Sequence, residues 1–291
     1  MKKNLRICVV GLGLIGGSLA KALSKTKKHI VDGYDINKGV CEKALLNGCI
    51  NAVADFNIGG QYDIVFIALS PALTTEFVKN NADFLKGAIV SDVCGVKAPI
   101  ISALKDFCKK NGIFFIGGHP MAGRELNGFD NSTPDLFINR YYIFTKDENT
   151  READLNLLKS LALDIGCTDV TITTPEKHDQ MIAFTSQLPH ILAGTYMKSP
   201  SSEFHLGFSA GSYHDVSRVA SIDENLWAQL FLSNKDCLLE ELDIFIENIN
   251  NYRNALNDSD ADRLKELIKT GRILKERDLK QNGEEKPHNF G

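Results

Sequence analysis

The strongest constraint on the fold is the run Cys8-Val-Val-Gly11-Leu-Gly13-Leu-Ile-Gly16, together with Asp35, which closes a second apolar run 19 residues after Gly16. A strand, a glycine-rich turn, a helix start and then an acid at this distance form the dinucleotide-binding βα fingerprint. The three glycines serve different ends. Gly11 permits the tight turn, Gly13 lets a pyrophosphate approach the backbone, and Gly16 lets helix and strand pack closely. Leu12, Leu14 and Ile15 complete the turn, whose free N–H groups and helix dipole favour an anion. Asp35 is placed to accept hydrogen bonds from ribose hydroxyls and to repel a 2′-phosphate, which predicts NAD over NADP, although Lys38 blurs that preference. The competing reading is a glycine-rich turn with no ligand.

The first 173 residues alternate short apolar runs with amphipathic ones. Leu5–Val10, Ile30–Tyr34, Ile64–Ala68, Ala88–Ser91, Ile113–Ile116, Tyr141–Thr145 and Val170–Thr173 read as strands, with helical segments between them. This order predicts an α/β Rossmann-type domain over 1–173, a mostly parallel sheet covered on both faces. After Thr174-Pro175 no strand pattern remains, and Glu176–Lys198, Asp223–Leu256 and Ser259–Arg277 read as long helices. Residues 174–291 are therefore expected to form an all-α domain that buries its apolar stripe in a homodimer, with a disordered tail from about 279. A monomeric bundle is the alternative.

Composition narrows the function classes. A net charge of -4 argues against a nucleic-acid-coating surface, so an anionic substrate needs locally placed arginines. Seven cysteines, odd in number and without a CxxC pair, fit reduced thiols better than disulfides or a zinc site. No signal-peptide pattern and no apolar run of membrane-spanning length is present, so the expected location is the cytoplasm and no membrane partner is expected.

Four further segments carry polar residues that packing does not explain: Asp92-Val-Cys-Gly-Val-Lys97, Gly118-His-Pro-Met-Ala-Gly-Arg-Glu125, Ser186-Gln-Leu-Pro-His190, and Gly211-Ser-Tyr-His-Asp-Val-Ser-Arg218 with Trp227 beyond it. In order and spacing, and together with the glycine turn, they resemble prephenate dehydrogenases over most of the chain. The resemblance implies NAD-dependent oxidative decarboxylation of prephenate to 4-hydroxyphenylpyruvate in tyrosine biosynthesis. It implies His119 as the base that polarises the C4 hydroxyl and takes its proton, and Arg218 as a clamp on a substrate carboxylate. It places His190, Gly211, Asp215 and Trp227 around the substrate and Asp92 with the cofactor-binding residues. Each has a plainer reading: a strand-capping histidine for His119, a helix-surface ion pair for Arg218, a core histidine for His190, simple packing for Trp227. Arg124 and Glu125 are candidates for gating the cleft.

One departure stands out. The Asp-x-x-Ser-x-Lys pattern common in that family has Gly95 in place of serine, so either water or the Cys94 region substitutes, or the network differs. Lys97 is read either as an anion ligand or as a solvated helix-start lysine. Neither a regulatory module nor a fused mutase is expected. The rival functions are an arogenate dehydrogenase, a β-hydroxyacid dehydrogenase, and a non-catalytic NAD sensor.

Overall fold

The computed structural model describes residues 4–281 other than Glu125. Strand β1 (Arg6–Val10) leads through the glycine turn into α1 (Leu14–Lys25), and then follow β2 (Ile30–Tyr34), α2 (Lys38–Leu46), β3 (Ile64–Ile67), α3 (Pro71–Asn80), α4 (Ala82–Leu85), β4 (Ile89–Asp92), α5 (Ala98–Asn111) and β5 (Phe114–Ile116). These five strands form one parallel sheet in the order β2-β1-β3-β4-β5. Their near-continuous apolar character follows from being covered on both faces. Successive residues of β1 serve opposite sides. Ile7 and Val9 join Leu19 and Leu23 of α1 in one core, while Cys8 and Val10 join Val78 of α3 and Leu104 of α5 in the other. Each such leucine or valine, fully buried, contributes about 1.5–3 kcal/mol before entropy is counted.

The outer edge of β2 is covered by the short segment 51–54, through the parallel Gly33–Val53 bridge and the bonds that the Asn51 and Ala54 N–H groups donate to the Val31 and Gly33 carbonyls. The order reverses between β1 and β3, and at such a switch point, beyond the carboxyl ends of the strands, α/β sheets bind their ligands.

The alternating pattern implies one sheet, whereas the structure has two. After β5 the chain passes through Gly117 into β6 (Gly118–Pro120), which pairs antiparallel with β7 (Tyr141–Thr145); β7 then pairs parallel with β8 (Asp169–Thr173) across helix α6 (Glu152–Asp164). Glycine is required here by close packing. A Cβ on Gly118 would lie 2.6 Å from the Asp92 carbonyl oxygen, and one on Gly117 would lie 2.4 Å from Thr145 Oγ1. His119 therefore sits within a strand of the second sheet, opposite Ile143, rather than on a loop beyond β5.

From Thr174 onward the described chain is helical or irregular. Thr174 caps α7 (Pro175–Ile182) by accepting the Lys177 N–H, with Pro175 at the first turn. A π-helical turn, Ala183–Gln187, joins α7 to α8 (Leu188–Met197), and the Leu188 N–H bonds back five residues to the Ala183 carbonyl. Pro189 explains the wider turn, because it has no N–H to close the ordinary helical ring. Then come α9 (Gly211–Ser217), α10 (Glu224–Ser233) and α11 (Lys235–Asn257). The single helix expected over Asp223–Leu256 is broken at Asn234. Its side-chain amide instead donates to the Asp179 carbonyl and to Gln187 Oε1, both at 2.8 Å.

Residues up to Leu238 form one compact unit and those from Leu239 another. The second holds most of α11 and helix α12 (Ala261–Gln281), joined by a turn in which Ser259 takes a φ of 53°. Helix α12 thus continues through 279, where the tail was expected to begin; residues 282–291 lie outside the described ones.

Candidate active site

The glycine turn has the geometry that a dinucleotide requires. Gly11 adopts φ 86°, and a Cβ there would lie 2.4 Å from the Ala68 carbonyl oxygen. A Cβ on Gly16 would lie 1.8 Å from the Gly11 carbonyl oxygen, so any side chain would force β1 and α1 apart. Gly13 differs: a Cβ there would meet nothing within 4 Å. Packing among the described residues does not demand glycine at 13, but close approach by a ligand does. Among the described residues no side chain caps α1, which leaves its first N–H groups available to an anion. Asp35 accepts the Leu12 N–H at 2.8 Å and the Asn37 N–H at 2.9 Å, fixing its carboxylate beside the turn. Leu12 and Leu14 point into the core, whereas Ile15 lines the adjoining cavity. These residues fit a dinucleotide.

Asp92 is placed differently. It is fully buried, forms an ion pair with the equally buried Lys97, and accepts the N–H groups of Cys94 and Gly118. Lys97 also donates to the Gly118 carbonyl at 2.7 Å. Both backbone polar groups of the residue before His119 are therefore held by one ion pair. Asp92 positions backbone here rather than offering an oxygen to a ligand. Lys97 is neither solvated nor open to an anion, contrary to both sequence-based expectations.

His119 reaches two residues that the sequence reading did not single out. Its Nδ1 lies 2.9 Å from His178 Nε2, and His178 Nδ1 lies 2.6 Å from Asp179 Oδ1. A carboxylate can only accept from His178 Nδ1–H, so His178 Nε2 carries a lone pair and accepts the His119 Nδ1–H. His119 Nε2 is left with a lone pair directed toward the cavity, near Gly95, where an added Cβ would lie 3.9 Å away. Burial holds the His119 pKa well below the ordinary imidazole range, with His178 and Lys97 adding to the effect. Burial likewise lowers His178. In both rings the shift favours the uncharged form. The signal for the missed pair was in the sequence: His178 and Asp179 lie three and four residues after Pro175 and before Ile182, on the buried face of α7.

The cavity has a volume of about 650 Å³. His119, His190, Arg218, Trp227 and Ile15 line it, joined by Arg124, Gly95, Ser186 and Gln187. His190 donates from Nδ1 to the Val219 carbonyl at 2.7 Å and packs against Trp227 with ring centres 3.9 Å apart. Gly211 and Asp215, on α9, are exposed and do not line this cavity. Glu125 lies outside the described residues. The Cys94 thiol is turned away, bonded to the Leu69 carbonyl and Thr74, with its pKa pushed up to about 12 by burial. It does not replace the serine hydroxyl absent at Gly95. A neutral acceptor nitrogen, two guanidinium groups and an adjoining dinucleotide cradle can together hold an anionic substrate and accept its proton.

Comparison with known proteins identifies the relatives of the chain. A family model described as prephenate dehydrogenase, nucleotide-binding domain, matches residues 19–171, and one described as prephenate dehydrogenase, dimerization domain, matches 174–270. The prephenate dehydrogenase of Bacillus subtilis (strain 168) is 30% identical, covering 91% of this chain and 74% of its own. The cyclohexadienyl dehydrogenase of Zymomonas mobilis is 31% identical, covering 90% and 92%. Among solved structures, prephenate dehydrogenase from A. aeolicus, in complex with hydroxyphenyl propionate and NAD+, superposes with a TM-score of 0.80 at 26% identity, over 95% of this chain and 98% of that one. The chain belongs to the prephenate dehydrogenase family.

Proposed function

We propose that the chain catalyses the NAD-dependent oxidative decarboxylation of prephenate to 4-hydroxyphenylpyruvate. The observation that carries this reading is the lone pair of His119 Nε2, directed into a cavity that also holds two arginines. When bound, the nicotinamide supplies the hydride acceptor. Gly11, Gly13 and Gly16, the first N–H groups of α1, and Asp35 would hold the dinucleotide. His119 accepts the C4 hydroxyl proton at Nε2 as the carbonyl character of C4 develops. The ring carboxylate leaves as carbon dioxide, and its bonding pair completes the aromatic ring.

Arg218 and Arg124 supply cationic partners for the carboxylates of the substrate. A tight grip on the departing carboxylate would stabilise the ground state and oppose the reaction, so an arginine serves the chemistry best on the carboxylate that stays. His190, held by the Val219 carbonyl, and Trp227 form a wall of the cavity that His119 also lines. The chain is further proposed to act as a homodimer. In the first unit Phe204, Leu206, Phe208 and Leu232 are exposed, and in the second Ile244, Ile246, Ile249 and Ile268 are, which supports a covering partner copy. No described helix is long and apolar enough to cross a membrane.

The test is NADH formation from NAD and prephenate, with arogenate in a parallel arm. Turnover of prephenate is expected in the wild type and its loss in His119→Asn, with NAD affinity retained. Full turnover in His119→Asn would overturn the assigned base, and turnover of arogenate alone would reassign the substrate.

A further inference from the structure

We propose that His178 and Asp179 are positioning residues that set the tautomer of His119, so that its Nε2 faces the substrate without a proton. This rests on the reading of His119 as the base. The geometry leaves Asp179 no freedom to do otherwise. Its Oδ1 accepts the Lys97 N–H at 2.8 Å as well as His178 Nδ1–H, and its Oδ2 accepts the Ala98 N–H at 2.8 Å. Those two N–H groups open helix α5, where the helix dipole also favours a carboxylate. The carboxylate is thus locked between the start of one helix and a histidine on another.

His178 cannot exchange its partners for solvent, because its side chain is 0% exposed and that of Asp179 only 3%. For the same reason these residues are not a proton exit. The chain of bonds ends on an internal carboxylate already surrounded by donors. A proton taken at His119 Nε2 therefore returns through the cavity. The other side of His119 is held too, by the grip of the Asp92–Lys97 pair on Gly118. One network, built from β4, α5, β6 and α7, fixes both where the imidazole sits and which nitrogen is bare.

The experiment combines long-range 1H–15N NMR of the histidine rings with steady-state kinetics. Wild-type His119 is expected to show a protonated Nδ1 and a bare Nε2. Asp179→Asn removes the carboxylate charge and sets an N–H2 group either against the Ala98 N–H or against the Lys97 N–H and His178 Nδ1–H, so His178, and with it His119, is no longer held in a single tautomer. The kcat should then fall by on the order of 10²–10⁴, as when a histidine base loses the carboxylate that sets its tautomer, with KM little changed. A second pair keeps the test decisive if Asp179→Asn fails to fold. His178→Gln retains an acceptor for His119 Nδ1–H and should turn over on the order of 10²-fold faster than His178→Leu, the low end of what a positioned base contributes. A protonated Nε2 on wild-type His119, or equal kcat in the Gln and Leu variants, would overturn the proposal. Failure of the base assignment itself would show instead as turnover surviving in His119→Asn, while the NMR tautomer stayed as described.

Discussion

Replacing Lys97 by methionine tests the structural reading most severely. The two side chains are similar in length and Lys97 is fully buried, so the change removes a charge and its donors with little change of shape. Asp92, also fully buried, would keep the Cys94 and Gly118 N–H groups but lose its counter-ion, and the Gly118 carbonyl would lose its lysine. Breaking a buried pair from one side costs about 3–5 kcal/mol, because the remaining charge is stranded. At about 2–4 °C per kcal/mol for a unit of this size, the midpoint of thermal unfolding should drop by roughly 6–20 °C. Activity should suffer more than stability at permissive temperature. Gly118 precedes His119, and an error of about 1 Å in a reacting group can cost 10²-fold in rate. Circular dichroism melts and NADH-formation rates, both on purified protein, measure the two effects. A melting point within 2–4 °C of wild type, equivalent to about 1 kcal/mol, would refute the claim that this pair is buried and mutually dependent.

Gly16→Ala should lower stability by at least about 1–3 kcal/mol, since its methyl would overlap the Gly11 carbonyl. Gly13→Ala should melt like wild type yet bind NAD more weakly by calorimetry, and equal NAD affinity would count against the cradle. Arg218→Met should raise KM about 30-fold, corresponding to about 2 kcal/mol, the low end for a charge contact because Arg218 is exposed before substrate binds. A KM within twofold of wild type would remove Arg218 from the substrate site. His119 and His178 both have depressed pKa values, so below pH 6.5 the unfolded chain binds protons that the folded one resists. Stability should hold above that pH and decline as pH falls beneath it, with the acid limb of kcat/KM also lying below 6.5; a melting point unchanged between about pH 7.5 and 5.5 would contradict this.

The nucleotide turn was legible because Gly11 and Gly16 answer local steric demands, Gly13 leaves room for a ligand, and Asp35 lies at a distance fixed by one βα unit. The strands were legible for a similar reason: parallel strands buried on both faces read as unbroken apolar runs. His119, His190 and Arg218, drawn from widely spaced segments, do line one cavity. What the sequence hid depends on long-range closure. Gly117-Gly118 looks like an ordinary loop until Thr145 and Asp92 are brought against it, and so the second sheet went unseen. Lys97 looks like a solvated lysine until the Asp92 carboxylate and the Gly118 carbonyl surround it. His178 and Asp179 showed only helical spacing, and their meaning depends on α5 and β6 arriving from elsewhere. Gly211 and Asp215 were placed by resemblance, and in this structure they lie outside the cavity.

The π turn at Ala183–Gln187 acts as a phase shifter. An α-helix advances about 100° per residue, so the extra residue in this turn rotates everything after it by that angle relative to α7. His178 and Asp179 lie before the shift and His190 after it. The support of His119 and one wall of the cavity are thus set on one continuous stretch of chain by an offset that no side-chain substitution reproduces. Deleting one residue within 183–187 would let the helix close in regular register. Were that residue Phe184, every cavity-lining group would remain in the sequence, but His190 would be turned about 100° around the helix axis from its present direction. The angular relation between the two histidines is encoded in a count of residues, and Pro189, unable to donate the bond that regular winding needs, guards the count.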